Sequence, residues 1–151
     1  MEKNLILAFD PGRDKIGFAL VNSDGGLIFS GIFPSDKKEI FFDLLLHEKS
    51  IEEFLIEKFA PLEGVIISQI KFIAIGNGTK SKDFCIYVKN KIPLETKIID
   101  EKNTTLEARK LYWKIHKPNF FQKFLPKGLR VPARVLDDLA AWAIALRAVR
   151  N

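Results

Sequence analysis

Three apolar runs fill the first 33 residues, and the connections between them are too short to hold a helix. Residues 5–9 (Leu-Ile-Leu-Ala-Phe) run into Asp10-Pro11-Gly12, residues 16–21 follow almost at once, and Asn22-Ser23-Asp24-Gly25-Gly26 turns the chain into residues 27–33. Short apolar runs bounded by Gly, Pro, Asn and Asp read as strands. Connections of this length join only antiparallel neighbours, because a parallel crossover needs a dozen residues or more. The chain is therefore expected to open with a three-strand antiparallel meander, which excludes an all-helical fold.

The pattern then changes period. Pro34-Ser35-Asp36 makes a loop, and residues 37–59 carry helical spacing with Ile40, Leu44, Ile51 and Leu55 on one face, with a break offered at His47-Glu48-Lys49-Ser50. Residues 72–75 form a fourth strand ending in Gly76-Asn77-Gly78, Thr79 or Ser81 caps a helix to about Asn90, and Pro93 ends that region. Residues 97–99 make a fifth strand stopping at Asp100-Glu101. Thr104 or Thr105 can cap a helix to about His116, and Val131-Pro132 opens a last helix, with Val135, Leu139, Trp142, Leu146 and Val149 in one stripe. A meander followed by alternating helices and strands predicts an α/β fold, a mixed five-stranded sheet covered by helices, in a single domain over residues 1–151.

Composition bounds the class. A chain of 151 residues, 47% hydrophobic, buries roughly 70% of its unfolded surface and needs no disulfide or metal to hold a core. Its single Cys85 forms no internal disulfide and no thiolate zinc site. The longest apolar run, residues 139–146, falls far short of the roughly 20 needed to span a bilayer, and the first residues lack a signal-peptide pattern, so a soluble, cytoplasmic protein with no membrane partner is expected. The net charge of +5 is unevenly placed. Between Lys102 and Arg134 nine Lys or Arg face one acid, Glu107, a local +8 that leaves the rest at −3. That stretch is either a solvated basic face or a surface for a polyanion, of which nucleic acid is the usual large one.

Three carboxylates stand at positions that matter in such a sheet. Asp10 ends the first strand, which is central in this strand order, Glu101 follows the fifth, and Asp137 lies in the last helix. Each has a plain reading: a turn former before Pro-Gly, a solvated strand exit, and a helix surface shared with Asp138. The helix spacing favours Asp137, because Ala140, Ala141, Ile144 and Ala148 share its face and let the helix lie close on a sheet. Three converging acids repel unless a divalent cation neutralises them.

The residues also carry a family likeness that spans nearly the whole chain. Leu7-Ala8-Phe9-Asp10-Pro11-Gly12 with Lys15-Ile16-Gly17-Phe18-Ala19 resembles the first motif of the YqgF/RuvX and RuvC families of the RNase H-like superfamily. Residues 73–79 resemble the glycine loop in the YqgF-type domain of the transcription accessory protein Tex. Asp100-Glu101-Lys102-Asn103-Thr104-Thr105 is similar to the Asp-Glu-Arg-x-Thr-Thr motif of YqgF, with Lys102 where the family has Arg. Asp137 with Ala140-Ala141 matches its closing Asp-x-x-Ala-Ala helix.

The resemblance implies an RNase H-like fold and metal-dependent hydrolysis of phosphodiester bonds in structured nucleic acid, either a structured RNA such as a ribosomal precursor or branched DNA. It implies Asp10, Glu101 and Asp137 as catalytic residues and as ligands for Mg²⁺ or Mn²⁺, which suit hard oxygen donors. Arg13, Lys15 and Arg134 are expected at the substrate backbone, and Gly76, Asn77, Gly78 and Thr79 form either a phosphate cradle or a simple turn. Trp113, Phe120, Phe121 and Phe124, within the basic stretch, stack bases or belong to the core. The competing function is a nucleic-acid-binding module of the YqgF type without catalysis. A third, the phosphate loop of actin-like and sugar-kinase ATPases, needs two lobes where this chain supplies one. A monomer or a homodimer is compatible with the sequence.

Overall fold

The computed structural model describes residues 4–47, 57–59, 67–78, 80–100, 102, 107–108, 110–111 and 137–150, with the backbone only at 57–59, 67 and 137–138. The meander is present as β1 (Leu5–Pro11), β2 (Lys15–Asn22) and β3 (Leu27–Pro34). A 3-10 turn, Ser35–Lys37, leads into α1 (Lys38–Leu46). The chain continues through β4 (Glu57–Phe59), β5 (Ile70–Gly76), α2 (Ser81–Lys91), β6 (Thr96–Ile99) and α3 (Asp137–Arg150). The sheet order is β4-β3-β2-β1-β5-β6, with β1 antiparallel to β2, and β5 parallel to both β1 and β6.

The mixed sheet is therefore six-stranded, not five-stranded. The additional strand, β4, falls inside the stretch read as helix over 37–59 and pairs antiparallel with the outer side of β3. The break at His47 is where α1 ends: the His47 N–H donates to the Asp43 carbonyl, and its Nδ1 lies 2.7 Å from the same oxygen. Ser81 is the first residue of α2, not its cap, and Lys80 before it supplies no side-chain cap bond. Thr79, Thr104 and Thr105, most of the helix expected after them, and residues 131–136 lie outside the described residues.

Side-chain alternation divides the core between the two sheet faces. Leu5, Leu7 and Phe9 of β1 face α1 and α2, and Ile6 and Ala8 face α3. The first layer is aromatic. Phe41 of α1 stacks on Phe33 at 4.3 Å, meets Phe18 at 4.9 Å and stands edge-on to Phe9, which meets Phe84 of α2 at 5.1 Å. These rings choose the buried face of α1. Phe41, Phe42 and Leu45 go inward, and Ile40, expected inside, is 46% exposed, because the wide rings of Phe9, Phe18 and Phe33 offer the larger contact to other rings.

The second layer is built from small residues. Ala19, Ala8 and Ala74 form one row across β2, β1 and β5, and Ala140, Ala141, Ala145 and Ala148 of α3 are buried against that face. Small side chains on both partners let backbones approach closely, so the close-lying alanine face expected for the last helix has a matching floor. Leu139 and Trp142 of the apolar stripe are buried there as well. No helix among the described residues is long and apolar enough to cross a membrane.

Candidate functional site

Parallel pairing brings three loops to one edge of the sheet. β1, β5 and β6 point the same way, so the segments after Pro11, Gly76 and Ile99 leave from their carboxy-terminal ends, where open α/β sheets hold ligands. Asp10 is half-buried and lies in the strand itself, paired with Gly17, because β1 extends two residues past its expected end at Phe9, into the expected turn. By alternation it shares the face of Ile6 and Ala8, the face covered by α3. Its row has glycine on both sides: Gly17 in β2, and Gly76 in β5, which follows the Phe9–Ile75 pair and itself pairs with Ile99. The two positions flanking Asp10 in its row are thus both glycine.

The other expected site residues are placed as follows. Lys15 opens β2 on the face of Gly17, hence on the face of Asp10. Arg13 sits in the connection between β1 and β2 with its side chain 82% exposed and 3.4 Å from Asp14. That connection is held from outside, since Ser35 Oγ donates to the Arg13 carbonyl (2.6 Å) and the Ser35 N–H to the Asp14 carbonyl (2.9 Å). Asp137 is the first residue of α3, and its side chain lies outside the described residues, as do Glu101, Thr79 and Arg134, and all four aromatics of the basic stretch.

The glycine loop after β5 is partly committed to the fold. The Asn77 N–H donates to the Ile99 carbonyl and the Ser81 N–H to the Gly78 carbonyl, both at 3.0 Å, so these two donors are not offered to a phosphate. Neither Gly76 nor Gly78 needs positive φ; among the described glycines only Gly25 has it. A cavity of about 420 Å³ opens beside this edge, lined by Gly12, by Arg13, Lys38 and Lys80, and by Asp36, Glu39 and Asp83. Among the described lining residues three cations are balanced by three acids, which gives them together no charge preference for an anion.

In the Asp100-Glu101 pair the first acid has a local task. Asp100 Oδ1 accepts the Lys102 N–H at 3.0 Å, closing a tight turn as β6 ends. Arg147, a residue with no distinctive sequence signal, is bound to the same turn. The donor chemistry of Asp10, Glu101 and Asp137 suits Mg²⁺ or Mn²⁺, being all carboxylate oxygen. The softer candidates are elsewhere: Cys85 is buried on the opposite face of the sheet, and His47 closes α1. Among the described residues no group of three His, Cys, Asp or Glu is assembled to hold a metal, and two of the three expected ligand side chains are not among them. No protein-family model matches the chain, and no curated protein matches it.

Proposed function

We propose that this chain is an RNase H-like nuclease that uses Mg²⁺ or Mn²⁺ to hydrolyse phosphodiester bonds of structured nucleic acid. The observation that carries the reading is the setting of Asp10: a half-buried carboxylate on the central strand, flanked in its row by glycine positions, on the face over which α3 begins at Asp137. The strand runs on through Asp10 rather than turning at it, so the carboxylate stands on the sheet face and is not spent on forming the turn. The β6 exit leads to Glu101 from the same edge of the sheet. The order of motifs through the chain adds to this, as does the local +8 between Lys102 and Arg134, which lies between the second and third acids and suits a phosphate backbone.

Asp10, Glu101 and Asp137 would hold the cation, which when bound supplies activated water and stabilises the leaving oxygen. Lys15 and Arg13, at the same edge, would neutralise the substrate backbone. The test is a cleavage panel with Mn²⁺ on a four-way DNA junction, a DNA duplex and a precursor ribosomal RNA fragment. Asp10→Asn, nearly isosteric, is expected to keep the fold and lower cleavage by at least about a thousandfold, equivalent to several kcal/mol of transition-state stabilisation. Undiminished cleavage by a clean, folded Asp10→Asn preparation overturns the reading. Salt-sensitive nucleic-acid binding without Mn²⁺ binding or cleavage by the unsubstituted protein favours the non-catalytic module instead.

A further inference from the structure

Arg147 reaches from α3 to the chain leaving β6. Its Nη1 donates to the Asp100 carbonyl (2.5 Å), Nη2 donates to the Lys102 carbonyl and to Glu107 Oε1 (2.5 Å), and Nε donates to the same Oε1 (3.2 Å). One planar fork therefore grips the main chain on both sides of position 101 and is itself braced by an acid farther along. The ion pair is partly shielded, with side-chain exposures of 20% for Arg147 and 30% for Glu107. The turn is also closed from within by the Asp100 carboxylate.

The choice of arginine is informative. A lysine carries a compact charge on a flexible stem and cannot hold three acceptors in fixed relative positions, whereas the guanidinium geometry is rigid. A surface arginine added for solubility or a weak ion pair needs one acidic neighbour, and Glu107 alone would serve. Two main-chain carbonyls that bracket a single residue are a different kind of target. The Asp100 carbonyl belongs to the peptide plane before residue 101, the Lys102 N–H taken by Asp100 Oδ1 to the plane after it, and the Lys102 carbonyl to the next, so the main chain is held on both sides of position 101. A ligand carboxylate needs such a hold, since metal affinity depends on donors being held in place by the shell around them.

We propose that Arg147 is the positioning residue for Glu101 and thereby sets the metal affinity of the site, an inference that rests on the nuclease reading above. The experiment uses the full chain and Mn²⁺ alone as the probe, with calorimetric titration, amide hydrogen exchange across residues 100–102, and cleavage as a function of Mn²⁺ concentration. Arg147→Met, which keeps the apolar stem, is expected to weaken Mn²⁺ binding by about 10- to 100-fold, to raise the Mn²⁺ needed for half-maximal cleavage by the same factor, and to speed exchange in the turn. Cleavage at saturating Mn²⁺ is expected to return close to that of the unsubstituted protein. Arg147→Lys, able to keep one of the carbonyl bonds, is expected to fall between the two.

Faster exchange in the turn with unchanged Mn²⁺ affinity means that Arg147 merely stabilises the fold, and it overturns the proposal. Should Arg147→Met fail to fold, the same comparison on Arg147→Lys decides. Asp10→Asn separates the two levels: unaltered Mn²⁺ affinity in Asp10→Asn overturns the nuclease site itself, and the absence of Mn²⁺ binding by the unsubstituted protein overturns both.

Discussion

Tyr87 shows how much one atom can report about the packing of two helices. Its ring meets Phe42 edge-on at 5.6 Å and lies under the Lys38 ammonium, 4.6 Å from the ring centre, while its hydroxyl oxygen is buried with no hydrogen-bond partner among the described residues. Burial raises its pKa above the ordinary tyrosine value, and the charges of Glu39 and Asp43 raise it further. The folded protein therefore keeps this proton at a pH where the unfolded chain has released it. Above about pH 10 the unfolded state binds fewer protons, so this group's contribution to stability declines as pH rises from there toward the folded-state value. Tyr87→Phe removes the unsatisfied hydroxyl as well as the titration. It is expected to gain up to about 1 kcal/mol at pH 7, and to lose less stability than the parent above pH 10, both measured by urea unfolding. Identical alkaline losses in the two proteins would show that Tyr87 is not the group responsible.

Among the elements, α3 and the turn between β2 and β3 depend on each other. Gly25 stands at φ 93°, its carbonyl accepts the Trp142 indole N–H at 3.0 Å, and a methyl group added there would come within 2.7 Å of Leu146 Cδ2. Gly25→Ala is expected to cost about 1–3 kcal/mol through the left-handed backbone and the displaced leucine, with a change in tryptophan fluorescence as the indole loses its acceptor. Equal unfolding midpoints for the two proteins would contradict that account. The turn itself was legible, because Asn-Ser-Asp-Gly-Gly between apolar runs has few other uses. So were β1, β2, β3, β5 and β6, whose apolar runs end at Gly, Pro, Asn or Asp, and α2, which stops just before Pro93. β4 was not, since three residues, Glu-Lys-Phe, carry no period and owe their strand state to the open edge of β3. The inward face of α1 differs from the expected one for a related reason: spacing sets Ile40 and Leu44 on one face, and only the aromatic floor of the sheet selects Phe41, Phe42 and Leu45 instead. Of the candidate site, Asp10 and the alanine face of α3 stand out in the sequence because they sit where a strand ends and where small residues recur. Arg147 does not, because a cation near a helix carboxy terminus is ordinary there, and its partners are main-chain atoms that leave no mark on the sequence.

At the scale of the whole molecule the sheet has two halves of different origin. The meander side is local, each strand pairing with the next across a short turn. The parallel side is not: Leu5 pairs with Ile70, 65 positions away. Closing so long a loop costs entropy that hairpins avoid, so the meander is expected to be more advanced than the parallel half in the folding transition state. Truncations between β2 and β3, such as Leu20→Ala, are then expected to slow folding, while Ile73→Ala in β5 mainly speeds unfolding, as stopped-flow chevrons can measure. Equal φ-values for the two would contradict this order. β1 is the seam, with one edge in each half, and Asp10 lies on it between Gly17 and Gly76. A nascent or damaged chain that has made only its hairpins has the carboxylate without its surroundings. Under the proposed function such a chain could not cut nucleic acid before its last pairing closes, so the order of assembly would act as a safety catch on a hydrolytic protein.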